Sequence, residues 1–110
     1  MRDYKILAVD FDGTLCFSQW PELGEPNFPL IEKLKKHKND GDKLILWTCR
    51  QGENLDAAVQ WCSENGLYFD AVNDNLQEIK ELFGNNSRKI TADFYIDDKG
   101  ILPQMIETVV

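Results

Sequence analysis

The chain is organised around residues 5–14, Lys5-Ile6-Leu7-Ala8-Val9-Asp10-Phe11-Asp12-Gly13-Thr14. The apolar run in this stretch is typical of a buried strand, and it ends abruptly in two carboxylates and a glycine. In an extended chain Asp10 and Asp12 point to the same side, while Phe11 points away into packing. Two close carboxylates repel each other unless a cation or a shared proton compensates their charge. The stretch therefore predicts a strand that ends in a charged site, with Gly13 giving the backbone freedom for a sharp exit.

The composition indicates a single globular domain over residues 1–110, because this length suits one hydrophobic core. The contents of 43% hydrophobic and 28% charged residues are ordinary for a soluble protein. The chain has 12 lysines and arginines against 19 aspartates and glutamates, which gives a net charge of −7. This acidity argues against a broad surface for nucleic acid or for an anionic membrane. An anionic substrate is still compatible with it, because a bound divalent cation reverses the local field.

The expected location is the cytoplasm. No apolar run is long enough to cross a membrane, and the first residues lead into strand sequence without a signal-peptide pattern. Cys16, Cys49 and Cys62 have spacings that suit neither a disulfide framework nor a zinc site. Each is therefore expected to be a small buried or half-buried thiol.

Strand and helix patterns alternate along the chain. Asn27 and Pro29 are typical of a helix start, and Gly41 is typical of a helix end. The patterns further predict a strand at 44–47, a helix at 53–65, a strand at 67–72, a short helix around 76–83 and a strand at 94–96. Such alternation implies right-handed crossovers and a mainly parallel sheet covered on both faces. The predicted fold is α/β, a three-layer Rossmann-like domain.

Two segments are less regular. Residues 15–28 carry two prolines and scattered aromatic residues, which indicates a loop or a small hairpin rather than a helix. In this segment Phe17 and Trp20 could contact a substrate or could pin the segment to the body of the protein. The residues after Asp98 fit a short helix and a strand-like tail equally well.

Polar side chains follow the ends of three predicted strands. Asp10 and Asp12 follow the first, Thr48 follows the second, and Asp97 and Asp98 follow the last. The carboxyl ends of parallel strands meet at one edge of a sheet, where ligands bind. Carboxylate oxygens are suitable ligands for Mg²⁺. The hydroxyl of Thr48 and the ammonium group of Lys89, which lies just before the last strand, can donate hydrogen bonds to a phosphate. The sequence therefore predicts a magnesium site with an anion pocket beside it.

These residues resemble the four motifs of the haloacid dehalogenase (HAD) superfamily of phosphotransferases. Residues 10–14 are similar to the first motif, DxDGT, and Thr48 at a strand end resembles the second. Lys89 resembles the third motif, and the strand end Ile96-Asp97-Asp98 resembles the acidic fourth motif. All four occur in the order of the superfamily, and the resemblance covers essentially the whole chain. It implies a HAD-like fold.

The resemblance also implies a role for each carboxylate. Asp10 would be the nucleophile that forms an aspartyl-phosphate. Asp12 would be the general acid and then the base that activates water, and for this its surroundings should raise its proton affinity. Mg²⁺ would be held by Asp10, by the main-chain carbonyl of Asp12 and by the acidic pair. In that pair Asp98 is the first choice for a direct or water-mediated ligand, with Asp97 supporting it.

The remaining polar residues would serve the substrate. By the same resemblance, Thr48 and Lys89 would bind the phosphoryl oxygens, and the lysine would help to keep Asp10 ionised. Arg50 could contact the substrate phosphate, or could equally be a solvated loop arginine. The only histidine, His37, is expected to be exposed to solvent rather than catalytic.

The chain resembles the capless members of the superfamily. Larger members carry a cap domain after the first motif or between the second and third, and here both intervals are short. Without a lid the site should be open. It would then rely on residues 15–28, or on a neighbouring subunit of a homo-oligomer, to exclude water.

These observations favour a magnesium-dependent phosphatase acting through an aspartyl-phosphate on Asp10. The substrate would be a phosphorylated small molecule or another accessible phosphomonoester. A receiver-type signalling domain is one alternative on a similar fold, but it places its phosphorylated aspartate after the third strand, where this chain has Val72-Asn73. A non-catalytic domain that binds phosphate or metal is the other alternative, and intact Asp10 and Asp12 argue against it.

Overall fold

A four-stranded parallel sheet forms the centre of the molecule. The computed structural model describes residues 3–83 and 92–97. The strands, in spatial order, are β5 (Ala71–Val72), β4 (Lys43–Leu46), β1 (Ile6–Val9) and β6 (Phe94–Ile96). The described part also contains the helices α1 (Phe28–Asn39), α2 (Gly52–Glu64) and α3 (Gln77–Phe83), and an antiparallel hairpin of β2 (Cys16–Gln19) and β3 (Glu22–Pro26). The α/β class and the mainly parallel sheet are confirmed.

Strand β1 is buried on both faces of the sheet. Its side chains alternate in direction, so Leu7 and Val9 join the core cluster that contains residues of α1 and α2, while Ile6 and Ala8 join the cluster that contains Ile79 of α3. Each of the four is 0% exposed. A strand covered on both sides needs a continuous apolar run, which is the pattern that identified it in the sequence.

Helix α1 begins where the sequence predicts. The Asn27 Oδ1 accepts the N–H of Leu30 at 3.5 Å, and Pro29 lies in the first turn, where its missing N–H leaves no hydrogen bond unmade. The helices predicted at 53–65 and around 76–83 are also present, as α2 and α3. No helix within the described residues is long and apolar enough to cross a membrane.

The third predicted strand is shorter than its sequence pattern indicates. A strand was expected over 67–72, but only β5 pairs with β4. Just before β5, the Asp70 carboxylate accepts the Leu44 N–H at 2.8 Å while the Asp70 N–H donates to the Leu44 carbonyl at 2.8 Å. At this position the side chain takes the place of a main-chain partner, so the ladder starts at Ala71.

Residues 15–28 form the small hairpin that was one of the two predicted alternatives. The register of its two strands shifts between Phe17 and Gln19, and a cis Trp20–Pro21 peptide lies at its tip. A Cβ atom on Gly24 would lie 2.0 Å from the Phe17 carbonyl oxygen, so the close approach of the strands requires glycine at this position.

The expectation that His37 is exposed is wrong. Its residue exposure is only 9%, and its Nδ1 lies 2.7 Å from the Asp42 Oδ2. The chain reverses after α1 at Gly41, whose φ of +97° favours glycine, and this turn returns Asp42 to the end of the helix. The second oxygen of Asp42 accepts the Lys5 N–H at 2.8 Å, so one carboxylate joins the end of α1 to the start of β1.

The Asp42 carboxylate is expected to make the stability of the fold decrease in acid. Burial works to raise its pKa, but the hydrogen bonds from His37 and from the Lys5 N–H outweigh burial and lower the pKa. The ionised carboxylate therefore stabilises the fold above the ordinary aspartate pKa of about 3.9, and that stabilisation is lost as pH falls through the lower folded-state value. We expect Asp42→Asn to lower the free energy of unfolding at pH 6 by about 1–2 kcal/mol.

Urea unfolding of the wild type and of Asp42→Asn between pH 6 and pH 2.5 measures this effect. The difference between the two proteins should shrink as the pH falls below about 4. The exposed neighbour Asp40 offers a matched control, because Asp40→Asn makes the same chemical change two residues away. An Asp42→Asn difference that is constant with pH would contradict the assignment.

Candidate functional site

The register of the sheet brings three strand ends together. Val9 at the end of β1 is paired with Leu46 of β4 and with Ile96 of β6. One step further, the Asp10 N–H donates to the Ile96 carbonyl at 2.9 Å, and the Trp47 N–H donates to the Val9 carbonyl at 2.9 Å. The residues that follow these strands therefore share the carboxyl edge of the sheet.

A pocket of about 210 Å³ lies at this edge. It is lined by one residue after β1, three after β4 and one after β6: Asp10, Trp47, Thr48, Cys49 and Asp97. The structure thus brings together three of the predicted site residues, from three separate strand ends. Two others, Lys89 and Asp98, lie outside the described residues. Cys49 is exposed here, whereas a buried or half-buried thiol was expected.

A larger cavity of about 550 Å³ lies at the opposite, amino-terminal end of the strands. Its lining carries charges of both signs, including Lys5, Lys33, Asp40 and Asp42. None of the residues from the predicted site belongs to it. The smaller pocket is therefore the candidate site, because it is the one where the strand-end residues converge.

A tight turn orients the first carboxylate. The Phe11 carbonyl accepts the N–H groups of Thr14, Leu15 and Cys16 at 3.0–3.2 Å, so the chain coils back immediately after the strand. Gly13 has a φ of +80° within this turn, a conformation that favours glycine. The Asp10 Oδ1 accepts the Phe11 N–H at 2.8 Å, which fixes one oxygen of the carboxylate.

The second carboxylate has a different partner. Asp12 does not line the pocket, and its two oxygens face the guanidinium of Arg50. The Nε–H of Arg50 donates to Oδ2 at 2.9 Å, and Nη2–H donates to Oδ1 at 2.7 Å. This bidentate geometry is the strongest form of an arginine–carboxylate pair. The Arg50 side chain is 1% exposed and that of Asp12 is 32% exposed.

The interpretation of Arg50 as a solvated loop residue is wrong. Its remaining terminal nitrogen donates to the main-chain carbonyls of Pro21 at 3.3 Å and Asn54 at 3.5 Å. The guanidinium carbon also lies 5.0 Å from the ring centroid of Phe11 and 4.7 Å from that of Trp20. A contact between Arg50 and a substrate phosphate would require these bonds to be replaced.

The pKa of Asp12 also differs from the expectation. Surroundings that raise its proton affinity were expected, and burial does act in that direction. However, the hydrogen bonds from Arg50 and Ser18 and the charge of Arg50 outweigh burial, so the pKa of Asp12 is lowered. The carboxylate is therefore held in its ionised form beside the arginine.

Asn73 supports the site, a role that was not expected from the sequence. Its N–H donates to the Leu46 carbonyl at 2.7 Å, and its Oδ1 accepts the Thr48 N–H at 2.7 Å. Its φ of +52° is left-handed, a conformation that asparagine tolerates better than most residues. Asparagine at the end of a predicted strand was the available signal, since its side chain commonly bonds a nearby backbone group.

The pocket is lined by oxygen ligands of the kind that hard cations prefer. Asp10 and Asp97 offer carboxylate oxygens, and Mg²⁺ is commonly bound through one or two carboxylates with the remaining positions filled by water. Within residues 3–83 and 92–97, no group of three or more His, Cys, Asp or Glu side chains is arranged to hold a metal ion. The described residues thus offer two carboxylates at the pocket and no closed cage.

The chain is similar to a protein of known structure. No protein-family model and no curated protein matches the chain. A solved structure of a conserved protein from Bacteroides thetaiotaomicron is similar, with a TM-score of 0.80 and 38% sequence identity. The similarity covers 98% of this chain and 93% of that chain. The chain belongs to the same family as that conserved protein.

Proposed function

We propose that this chain is a magnesium-dependent phosphomonoester hydrolase with a capless, three-layer HAD-like fold. One observation carries the proposal. Asp10, Thr48 and Asp97 follow three different strands, yet they line one pocket, in the chain order of the first, second and fourth motifs that they resemble. A phosphatase of this kind needs those three groups together, as nucleophile, phosphate ligand and metal ligand.

Asp10 is the proposed nucleophile. The Phe11 N–H donates a hydrogen bond to its Oδ1, and this bond fixes the orientation of the carboxylate. Its other oxygen would form a bond to phosphorus while the bond between phosphorus and the leaving oxygen breaks, which gives an aspartyl-phosphate. Water would then attack the same phosphorus, releasing inorganic phosphate and restoring Asp10.

Asp12 is the proposed proton carrier. It would give a proton to the leaving oxygen and later take one from the attacking water. The carboxylate lies two residues from Asp10, and its side chain is 32% exposed, so it is accessible despite its pair with Arg50. The lowered pKa of Asp12 favours the ionised form, which accepts a proton from water, and it opposes the earlier step, for which Asp12 must first take up the proton that it gives to the leaving oxygen.

Thr48 is the proposed ligand of the phosphoryl oxygens. Its hydroxyl oxygen accepts the Arg50 N–H at 3.2 Å, and this bond uses a lone pair of the oxygen. The hydroxyl proton can then be donated to a phosphoryl oxygen. Lys89, by its resemblance to the third motif, would contribute a positive charge at the same place.

Asp10 and Asp97 would hold Mg²⁺, with the main-chain carbonyl of Asp12 and the carboxylate of Asp98 as further ligands. When bound, the cation would polarise the phosphoryl oxygens and offset the repulsion between an anionic substrate and the carboxylates. This fits the strongly acidic composition, since the net charge of −7 would otherwise oppose binding of a phosphate.

Phosphate release from an aryl phosphate tests the proposal. We expect hydrolysis in the presence of millimolar Mg²⁺, at least a tenfold loss of rate on adding a chelator and recovery on adding excess Mg²⁺. An aryl phosphate is suitable because its acidic leaving group needs little proton donation. Hydrolysis that ignores the chelator would contradict a magnesium mechanism. Binding of phosphate without turnover would instead favour the non-catalytic alternative.

A further inference from the structure

We propose that Arg50 is a positioning residue: its guanidinium fixes the carboxylate of Asp12, and the Trp20 indole of the hairpin fixes the guanidinium. The packing of the hairpin would thereby set the orientation of a group in the site. The inference rests on the proposed function, in which Asp12 carries protons. The contacts themselves are independent of that function.

Arg50 and Asp12 form a bidentate ion pair. Two parallel hydrogen bonds of 2.9 and 2.7 Å engage both carboxylate oxygens, so rotation of the carboxylate would break at least one of them. Arginine presents these donors in a rigid planar fork, which lysine cannot reproduce with its single ammonium group. A bidentate pair therefore fixes direction as well as charge.

The guanidinium of Arg50 is itself held by aromatic rings and main-chain carbonyls. Its central carbon lies over two aromatic rings, Phe11 from the turn after β1 and Trp20 from the tip of the hairpin. A terminal nitrogen donates to the Pro21 carbonyl of the hairpin and to the Asn54 carbonyl of α2. Three separate parts of the chain therefore hold one side chain that is 1% exposed.

Trp20 contacts Arg50 from the tip of the hairpin. This side chain is 61% exposed, so packing in a core does not explain it. Its ring instead lies 4.7 Å from the guanidinium carbon, a geometry in which an arginine and an indole attract each other. Removal of the indole would leave the core intact and would free one side of Arg50.

Arg50 also reaches the pocket through its backbone. Its N–H donates to the Thr48 hydroxyl, which lines the pocket. Neither the guanidinium nor Asp12 lines the pocket, and the guanidinium would act on the proposed proton transfer through its bonds to Asp12. This distinguishes a positioning residue from a catalytic one.

The activity test compares Trp20→Ala with Tyr68→Ala. Both side chains are 61% exposed, but Tyr68 lines a different pocket, with residues of α1. We expect Trp20→Ala to lower kcat roughly tenfold and Arg50→Lys roughly a hundredfold, with little change in KM, because small misplacements of a reacting group cost rate. Tyr68→Ala should keep the wild-type kcat. An unchanged kcat in Trp20→Ala would overturn the proposal.

A second measurement does not depend on activity. The chain has arginines at positions 2, 50 and 88, so the NMR signal of the Arg50 Nε–H is the one missing from Arg50→Lys. This proton is bonded to Asp12 and buried, and it should exchange slowly with solvent. We expect at least roughly tenfold faster exchange in Trp20→Ala and no change in Tyr68→Ala.

The two measurements separate this inference from the proposed function. A wild-type protein without phosphatase activity, combined with faster exchange in Trp20→Ala, would refute the function and support the positioning of Asp12 by the hairpin. Exchange that stays slow in Trp20→Ala would overturn the positioning, whatever the activity. If Arg50→Lys does not fold, assignment of the signal through Asp12→Asn keeps the exchange test in force.

Discussion

Replacing Asp10 with asparagine is expected to lower kcat for an aryl phosphate by at least roughly three orders of magnitude, as loss of a nucleophile does in other enzymes. An amide has no ionised oxygen with which to attack phosphorus. The fold should persist, because the Oδ1 of asparagine can still accept the Phe11 N–H that now fixes the Asp10 carboxylate. A steady-state assay of phosphate release measures the effect, alongside urea unfolding as a check of the fold.

The control for this variant is Asp56→Asn. Asp56 is an exposed residue of α2, so its replacement makes the same change in charge away from the pocket. This control should keep the wild-type rate. Acid quenching during turnover of a radiolabelled substrate should leave phosphate attached to the wild type and none attached to Asp10→Asn. More than a tenth of the wild-type rate in a purified Asp10→Asn protein would exclude Asp10 as the nucleophile.

The convergence of Asp10, Thr48 and Asp97 could be predicted because it depends on two regularities. An apolar run identifies a buried strand locally, and the carboxyl ends of parallel strands meet at one edge. The sheet register then places the three residues at one pocket without any further information. Sequence reasoning therefore works where the position of a residue along its strand decides its place in space.

The pair between Asp12 and Arg50 could not be predicted in this way. The two residues are 38 positions apart, and Arg50 stands in a polar segment that is typical of a solvated loop. Its burial depends on Trp20 and Phe11, which belong to other parts of the chain. His37 was misjudged for a more local reason, since the turn at Gly41 brings its hydrogen-bond partner, Asp42, back to the end of the helix. A buried charge is specified by its surroundings rather than by its own neighbours in sequence.

Phe11 is expected to be the residue of the first motif on which stability depends most. It is 0% exposed, and its ring packs edge-on against Trp61, with 5.3 Å between centroids and an interplanar angle of 87°. The Arg50 guanidinium also lies against this ring. Removing a buried phenyl ring loses transfer free energy and leaves a cavity, so Phe11→Ala should lower the free energy of unfolding by about 3–5 kcal/mol.

Phe17 provides the matched comparison for Phe11. It lies on the hairpin with 55% of its surface exposed, so Phe17→Ala should change the free energy of unfolding by no more than about 0.5 kcal/mol. Urea unfolding of the two variants at pH 7 measures both values. Similar losses in the two variants would contradict the packing of Phe11. A large loss confined to Phe11→Ala would mean that the residue between the two carboxylates anchors the turn on which Asp10 and Asp12 depend.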